Sequence, residues 1–133
     1  MSFRSDPAEW KDPRHRRGAE GEAVARAFLE RTGWRVIEQR FRMGRLEVDL
    51  IARKGALVAF VEVKTRLSEQ FGSPLQAVTW VKQREIGKVA QAWIDRHGRP
   101  DERYRFDVIG VTRLKGGARR VQHVADAFRL QRR

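Results

Sequence analysis

The chain has no cysteine among its 133 residues. Disulfides, thiolate zinc sites and cysteine nucleophiles are therefore excluded, and a reducing, cytoplasmic location fits. His15, His97 and His123 show no ligand spacing, so none is expected to be catalytic. No apolar run reaches transmembrane length. The opening Met1-Ser2-Phe3-Arg4-Ser5-Asp6 leads into no apolar stretch, so no secretory signal is expected. A glycine-rich phosphate loop is missing too, because Gly116-Gly117 precedes no convincing helix. Acids are the scarce charge: 17 Asp and Glu face 29 Lys and Arg.

That imbalance gives a net charge of +12 and a pI near 11.4. Residues 111–133 hold seven Lys/Arg against the single acid Asp126, half of the excess. Such a balance attracts a polyanion with salt-sensitive affinity, and nucleic acid is the leading partner. A membrane surface ranks lower, since no basic helix with a Trp/Leu face accompanies the charge. With 41% hydrophobic residues, a chain of this length makes one domain with a real core.

Residues 1–17, with Pro7, Pro13 and the cluster Arg14-His15-Arg16-Arg17, are expected to form a basic arm. A single domain is expected over 18–126, followed by a basic tail over 127–133. Gly18 to Thr32 reads as a helix, with Val24, Ala25, Phe28 and Leu29 on one face and Gly33 as its stop. Glu22 lies at the edge of that face. Trp34 to Phe41 reads as a strand. Ser73-Pro74-Leu75-Gln76 is a helix start, and the helical pattern runs on to His97 with a break near Trp80. Ile86, Val89, Ala90, Trp93 and Ile94 form its stripe. Tyr104 to Val111 reads as a strand and Val121 to Ala125 as a short last one. Trp34 and Trp93 are expected in the core. Trp80 is expected there as well, with stacking on a nucleic-acid base as the alternative.

Between these elements lie two alternating runs, Leu46-Glu47-Val48-Asp49-Leu50-Ile51-Ala52 and Leu57-Val58-Ala59-Phe60-Val61-Glu62-Val63-Lys64, which read as a hairpin. A two-residue Lys54-Gly55 turn would pair Arg53 with Ala56 and set Asp49 opposite Phe60. Asp49 and Glu62 then become diagonal neighbours, and Lys64 shares their face. Leu46, Val48, Leu50, Val61 and Val63 would share the opposite, core face.

Two carboxylates and an ammonium are costly at the end of an apolar hairpin if stability is their only role. They suit a hydrolytic site. Mg²⁺ (or Mn²⁺) takes hard oxygen ligands, and Asp49, Glu62 and the carbonyl of Val63 would supply three. Lys64 would orient or stabilise the attacking water, and Glu22 would complete the site. Arg66 and Lys82 are candidate phosphate contacts. Glu47 reads as an outer or surface residue, and Asp107 as structural.

These residues resemble the PD-(D/E)xK nuclease superfamily, whose restriction-endonuclease-like core is an α/β fold of order α-β-β-β-α-β around a mixed central sheet flanked by helices. More closely, the chain resembles the bacterial YraN-type family of uncharacterised, predicted endonucleases. The resemblance rests on Gly18-x-x-Gly21-Glu22, Glu47 to Ala52, Phe60 to Arg66, Phe71-Gly72-Ser73-Pro74, Lys82 before Ile86, and Arg105-Phe106-Asp107-Val108. Leu46 stands where that family usually carries glycine. The resemblance implies a metal-dependent endonuclease acting on DNA, branched or structured DNA included. By similarity to archaeal Holliday junction resolvases, Glu22, Asp49, Glu62 and Lys64 would be catalytic. Cutting a junction would call for a homodimer. Two alternatives stay open: a nucleic-acid-binding module that keeps the nuclease fold without turnover, and an interaction subunit whose basic tail binds an acidic partner.

Overall fold

The computed structural model describes residues 13–67 and 73–130, with side chains from Gly18 onward. Helix α1 spans Pro13–Arg31 and is followed by β1 (Arg35–Met43), β2 (Leu46–Lys54) and β3 (Leu57–Arg66). A 3₁₀ turn at Pro74–Ala77 leads to α2 (Trp80–His97), then β4 (Arg103–Arg113) and β5 (Arg119–Phe128). The five strands form one sheet in the order β1-β2-β3-β4-β5. β3 and β4 are parallel and the other neighbours antiparallel, so the fold is α/β with a mixed sheet. The parallel pair follows from α2, the crossover that returns the chain to the same sheet.

Each helix covers one apolar cluster. α1 contributes Ala25 and Leu29 to a core with Trp34, Leu50, Ala52, Ala59, Val61, Ile109 and Val111. α2 contributes Ile86, Val89, Ala90 and Trp93 to a core around Val58, Phe60 and Val108. Phe60 is 1% exposed and meets Trp93 edge to face at 5.7 Å. Burying one such side chain is worth roughly 1.5–3 kcal/mol.

Several boundaries differ from the sequence reading. α1 begins at Pro13, inside the expected arm, whose first twelve residues lie outside the described ones. β5 runs to Phe128, which is buried, so the tail does not begin at 127. Residues 68–72, which carry Phe71 and Gly72, and residues 131–133 also lie outside the description. The break near Trp80 separates the 3₁₀ turn from α2, whose N-cap is Thr79; its side chain accepts the Lys82 N–H at 3.1 Å.

The hairpin register is two residues away from the expected one. The turn is Gly55-Ala56, with Gly55 at φ +61°, and Lys54 pairs with Leu57. Ile51, not Asp49, lies opposite Phe60. The left-handed glycine falls at the first turn position, as a primed hairpin turn requires. A slip of two conserves side-chain faces, whereas a slip of one would have exchanged them.

The faces themselves are corrected at one point. Leu46 and Val48 pack with Val58 and Phe60 on the α2 side, whereas Leu50, Val61 and Val63 pack on the α1 side. Val48 and Ile51 share a cluster although three positions apart, so the alternation of β2 breaks at Asp49-Leu50.

Candidate active site

Asp49 stands at that break. The described β2–β3 pairing ends at Leu50↔Val61, one residue before Asp49 and Glu62 would meet. There the Asp49 carboxylate replaces a backbone partner: its Oδ2 accepts the Val63 N–H at 2.7 Å. β1 is irregular beside it. Gln39 pairs with Leu50 and Phe41 with Val48, which brackets Arg40 against Asp49. Arg40 has φ +50°, a backbone region that non-glycine residues seldom occupy.

α1 supplies the next acid. A Cβ at Gly21 would run into Thr65 Oγ1 as that side chain stands, so glycine lets the helix lie this close to the end of β3. Glu22, the following residue, is thereby carried to the end of the hairpin. Carboxylate oxygens of Glu22, Glu47 and Asp49 lie within 4.8 Å of one another. Opposite vertices of a Mg²⁺ octahedron are about 4.2 Å apart, so small side-chain movements would let one ion take all three.

Glu62 adjoins this cluster from β3 and is 3% exposed. It neighbours Asp49 and faces two ammonium groups, Lys82 Nζ at 3.6 Å and Lys64 Nζ at 3.9 Å from its Oε2. The expected trio of Asp49, Glu62 and Lys64 is thus assembled at one end of the hairpin, and Lys82 joins it from α2. Arg66 is held at the end of β3 by donating to the Ser73 carbonyl at 2.7 Å. Val63 enters through its N–H, bonded to Asp49; its carbonyl is the oxygen expected to serve as a ligand.

Three participants were not anticipated. Glu47, read as an outer residue, is half-buried and belongs to the oxygen cluster. Its place two residues before Asp49 was the available signal. Arg40 Nε donates to Glu22 at 2.9 Å and Arg42 Nε to Glu47 at 2.8 Å. The register pair Arg42↔Glu47 explains the second bond, but no sequence pattern announced the first, because it needs the left-handed turn at Arg40.

The electrostatics follow from this crowding. Burial, and then the charge of Asp49, push the Glu22 carboxyl up to about 7, against the opposing Arg40 bond. Burial, and then the hydrogen bond and charge of Glu62, hold Asp49 well above the ordinary carboxylate range. Asp49 accepts a backbone N–H while two further acids, Glu62 and Glu47, oppose its ionisation. The donor set is hard oxygen, crowded and reluctant to ionise together, which fits a hard divalent cation.

Trp80 is not in the core. It is 66% exposed, with the Arg84 guanidinium 4.9 Å above its ring. Asp107 is fully buried and bonded to Arg105, to His123 Nε2 at 2.7 Å and to the Asp126 N–H. It ties β5 to β4 where their register shifts, between Phe106 and Val108. No helix among the described residues is long and apolar enough to cross a membrane.

Comparison with known proteins yields a match over residues 21–111 to the Uncharacterised protein family UPF0102. A UPF0102 protein of Geobacter sulfurreducens is 48% identical over 113 residues, covering 85% of this chain and 88% of its own. One of Chlorobium chlorochromatii is 43% identical over 84% of this chain and 89% of its own. A third, of Alkaliphilus metalliredigens, is 40% identical over 84% of this chain and 96% of its own. The matched span contains Glu22, Glu47, Asp49, Glu62 and Lys64.

Proposed function

This chain belongs to the UPF0102 family, and from that premise and the geometry of its acidic cluster we propose that it is a metal-dependent endonuclease hydrolysing phosphodiester bonds of DNA. The observation that carries the reading is the convergence of Glu22, Glu47 and Asp49 within 4.8 Å, beside Glu62 and two lysines. The order of elements and the Asp49…Glu62-Val63-Lys64 pattern support a relationship to the PD-(D/E)xK nucleases.

In this reading Asp49, Glu62 and the carbonyl of Val63 would hold Mg²⁺ or Mn²⁺, and Glu22 and Glu47 are close enough to Asp49 to complete the ligand set. The cation's part is to neutralise charge on the phosphate and to lower the pKa of a bound water. Lys64 and Lys82 already flank Glu62. Lys64 orients the attacking water, and Lys82, with Arg66, meets the phosphate backbone. Arg40 and Arg42 hold Glu22 and Glu47 in place by charge-assisted hydrogen bonds. The net charge of +12 draws the polyanion in. Structured DNA and a symmetric dimer belong to the same reading.

The test is cleavage of a DNA junction, flap or single strand by the purified chain with Mg²⁺ or Mn²⁺. Asp49→Ala should abolish it. Equal cleavage by wild type and variant would mark a contaminant and defeat the claim. Salt-sensitive DNA binding that is indifferent to chelator, with no cleavage across the panel, would favour the non-catalytic module instead.

A further inference from the structure

The nuclease reading leaves one exposed feature unused, at the start of α2. Trp80 is 66% exposed, Val81 60% and Leu67, just past β3, 55%. Single exposed apolar residues are ordinary, but an indole this exposed presents a large amphipathic surface suited to contact with a partner. The Trp80 ring is not idle. Arg84, one turn further along α2, lies 4.9 Å above it in a cation–π contact, and the residue still keeps 66% of its surface exposed. Two residues beyond Trp80, Lys82 reaches Glu62 at the acidic cluster. Side chains two residues apart leave a helix on roughly opposite sides, so Trp80 and Arg84 flank the cluster across the first turn of α2 from Lys82.

We propose that Trp80, backed by Arg84, is a stacking platform for an unpaired base of the strand whose phosphate lies at the acidic cluster. The substrate class is then DNA with a single-stranded segment at the site, such as a flap, fork or splayed junction arm. This deepens the endonuclease reading and rests on it for the place of the phosphate. A planar aromatic offers every base a π-face without reading sequence, and a guanidinium beside it adds charge toward the adjoining phosphate. A base inside intact duplex is already stacked on its neighbours and has no face to offer. Charge complementarity selects nucleic acid as the occupant: Arg84 and Lys88 follow Trp80 at four-residue spacing on one exposed face of the helix, in a chain of net charge +12. A second copy of so basic a chain would meet like charge at this patch.

The experiment is equilibrium binding of the full chain, in chelator, to labelled single-stranded oligodeoxythymidylate and to a duplex of equal length. Tryptophan emission is recorded in the same titrations. Trp80→Ala should weaken single-strand binding by about tenfold, the range expected for one lost base stack, while duplex binding changes less than twofold. Trp80→Phe should retain most of the affinity but lose most of the emission quench. Equal loss on both DNAs, or no loss on either, would overturn the proposal. So would a wild-type dimer in sedimentation that Trp80→Ala turns to monomer without altering the quench, since the patch would then be a self-interface. Because no metal is present, the outcome is independent of turnover. A chain that never cleaves DNA but loses single-strand binding in Trp80→Ala would sink the hydrolytic reading and leave this one standing.

Discussion

Glu22 shows most clearly what the acidic cluster costs the protein. Its carboxyl is pushed up to about 7 from an ordinary value of 4.5, by burial first and the Asp49 charge second. In the folded chain it therefore holds a proton that the unfolded chain has already released between those two values. Linkage makes the metal-free protein lose stability as pH rises through that window, and Asp49, shifted the same way, adds to the loss. Asp107 and Glu102, whose carboxyls are held down by hydrogen bonds and charge that outweigh burial, act in the opposite sense and only at lower pH. The melting temperature in chelator is thus expected to fall between about pH 4.5 and pH 7. Glu22→Gln should flatten that fall, and Mg²⁺ should raise the wild-type value more at the higher pH. An unchanged profile in Glu22→Gln would show that the carboxyl is not strained.

At the scale of elements, the site depends on how closely α1 approaches β3. Gly21→Ala puts a methyl against Thr65 Oγ1, so the Thr65 side chain must turn away or the helix must shift and take Glu22 with it. Overpacking of this kind costs roughly 1–3 kcal/mol. The loss should be visible in thermal melts and should be partly restored by adding Thr65→Ala; no rescue would mean the contact is not the cause. The β4–β5 edge has its own tie in Asp107, fully buried between Arg105 and His123. Asp107→Ala leaves the part-buried Arg105 guanidinium and the Asp126 N–H without their shared acceptor, and is expected to lower stability by about 2 kcal/mol in denaturant titrations. A change below 1 kcal/mol would make the pair dispensable. The elements were mostly legible from alternation, helical spacing and the punctuation of Gly33, Ser73-Pro74 and Gly98. The hairpin register was not. Lys54-Gly55 and Gly55-Ala56 are both plausible two-residue turns, and the choice is made by which pairing buries Ile51 and Phe60 together. Nor was the break at Asp49-Leu50 legible, because a local loss of alternation leaves no mark in residue types alone. Trp80 was misplaced for a related reason: an aromatic at helical spacing reads as core, and only the position of α2 on the sheet turns it outward.

The whole molecule is a strongly basic body with a small acidic centre. If the excess of cations serves a polyanion, affinity for DNA should fall at least tenfold between about 50 and 200 mM salt, as it does when several phosphates are neutralised. A salt-independent affinity would remove nucleic acid as the partner. The acidic centre is what such a body would otherwise have no reason to build, and its answer to a cation decides the account most directly. The measurement is calorimetric titration of Mg²⁺ or Mn²⁺ into the full chain near pH 7.5, in buffers of different ionisation enthalpy, for wild type and Asp49→Ala. Saturable binding with release of protons in the wild type, absent from the variant, is the predicted result. No binding heat in the wild type, or the same isotherm in both proteins, would contradict it.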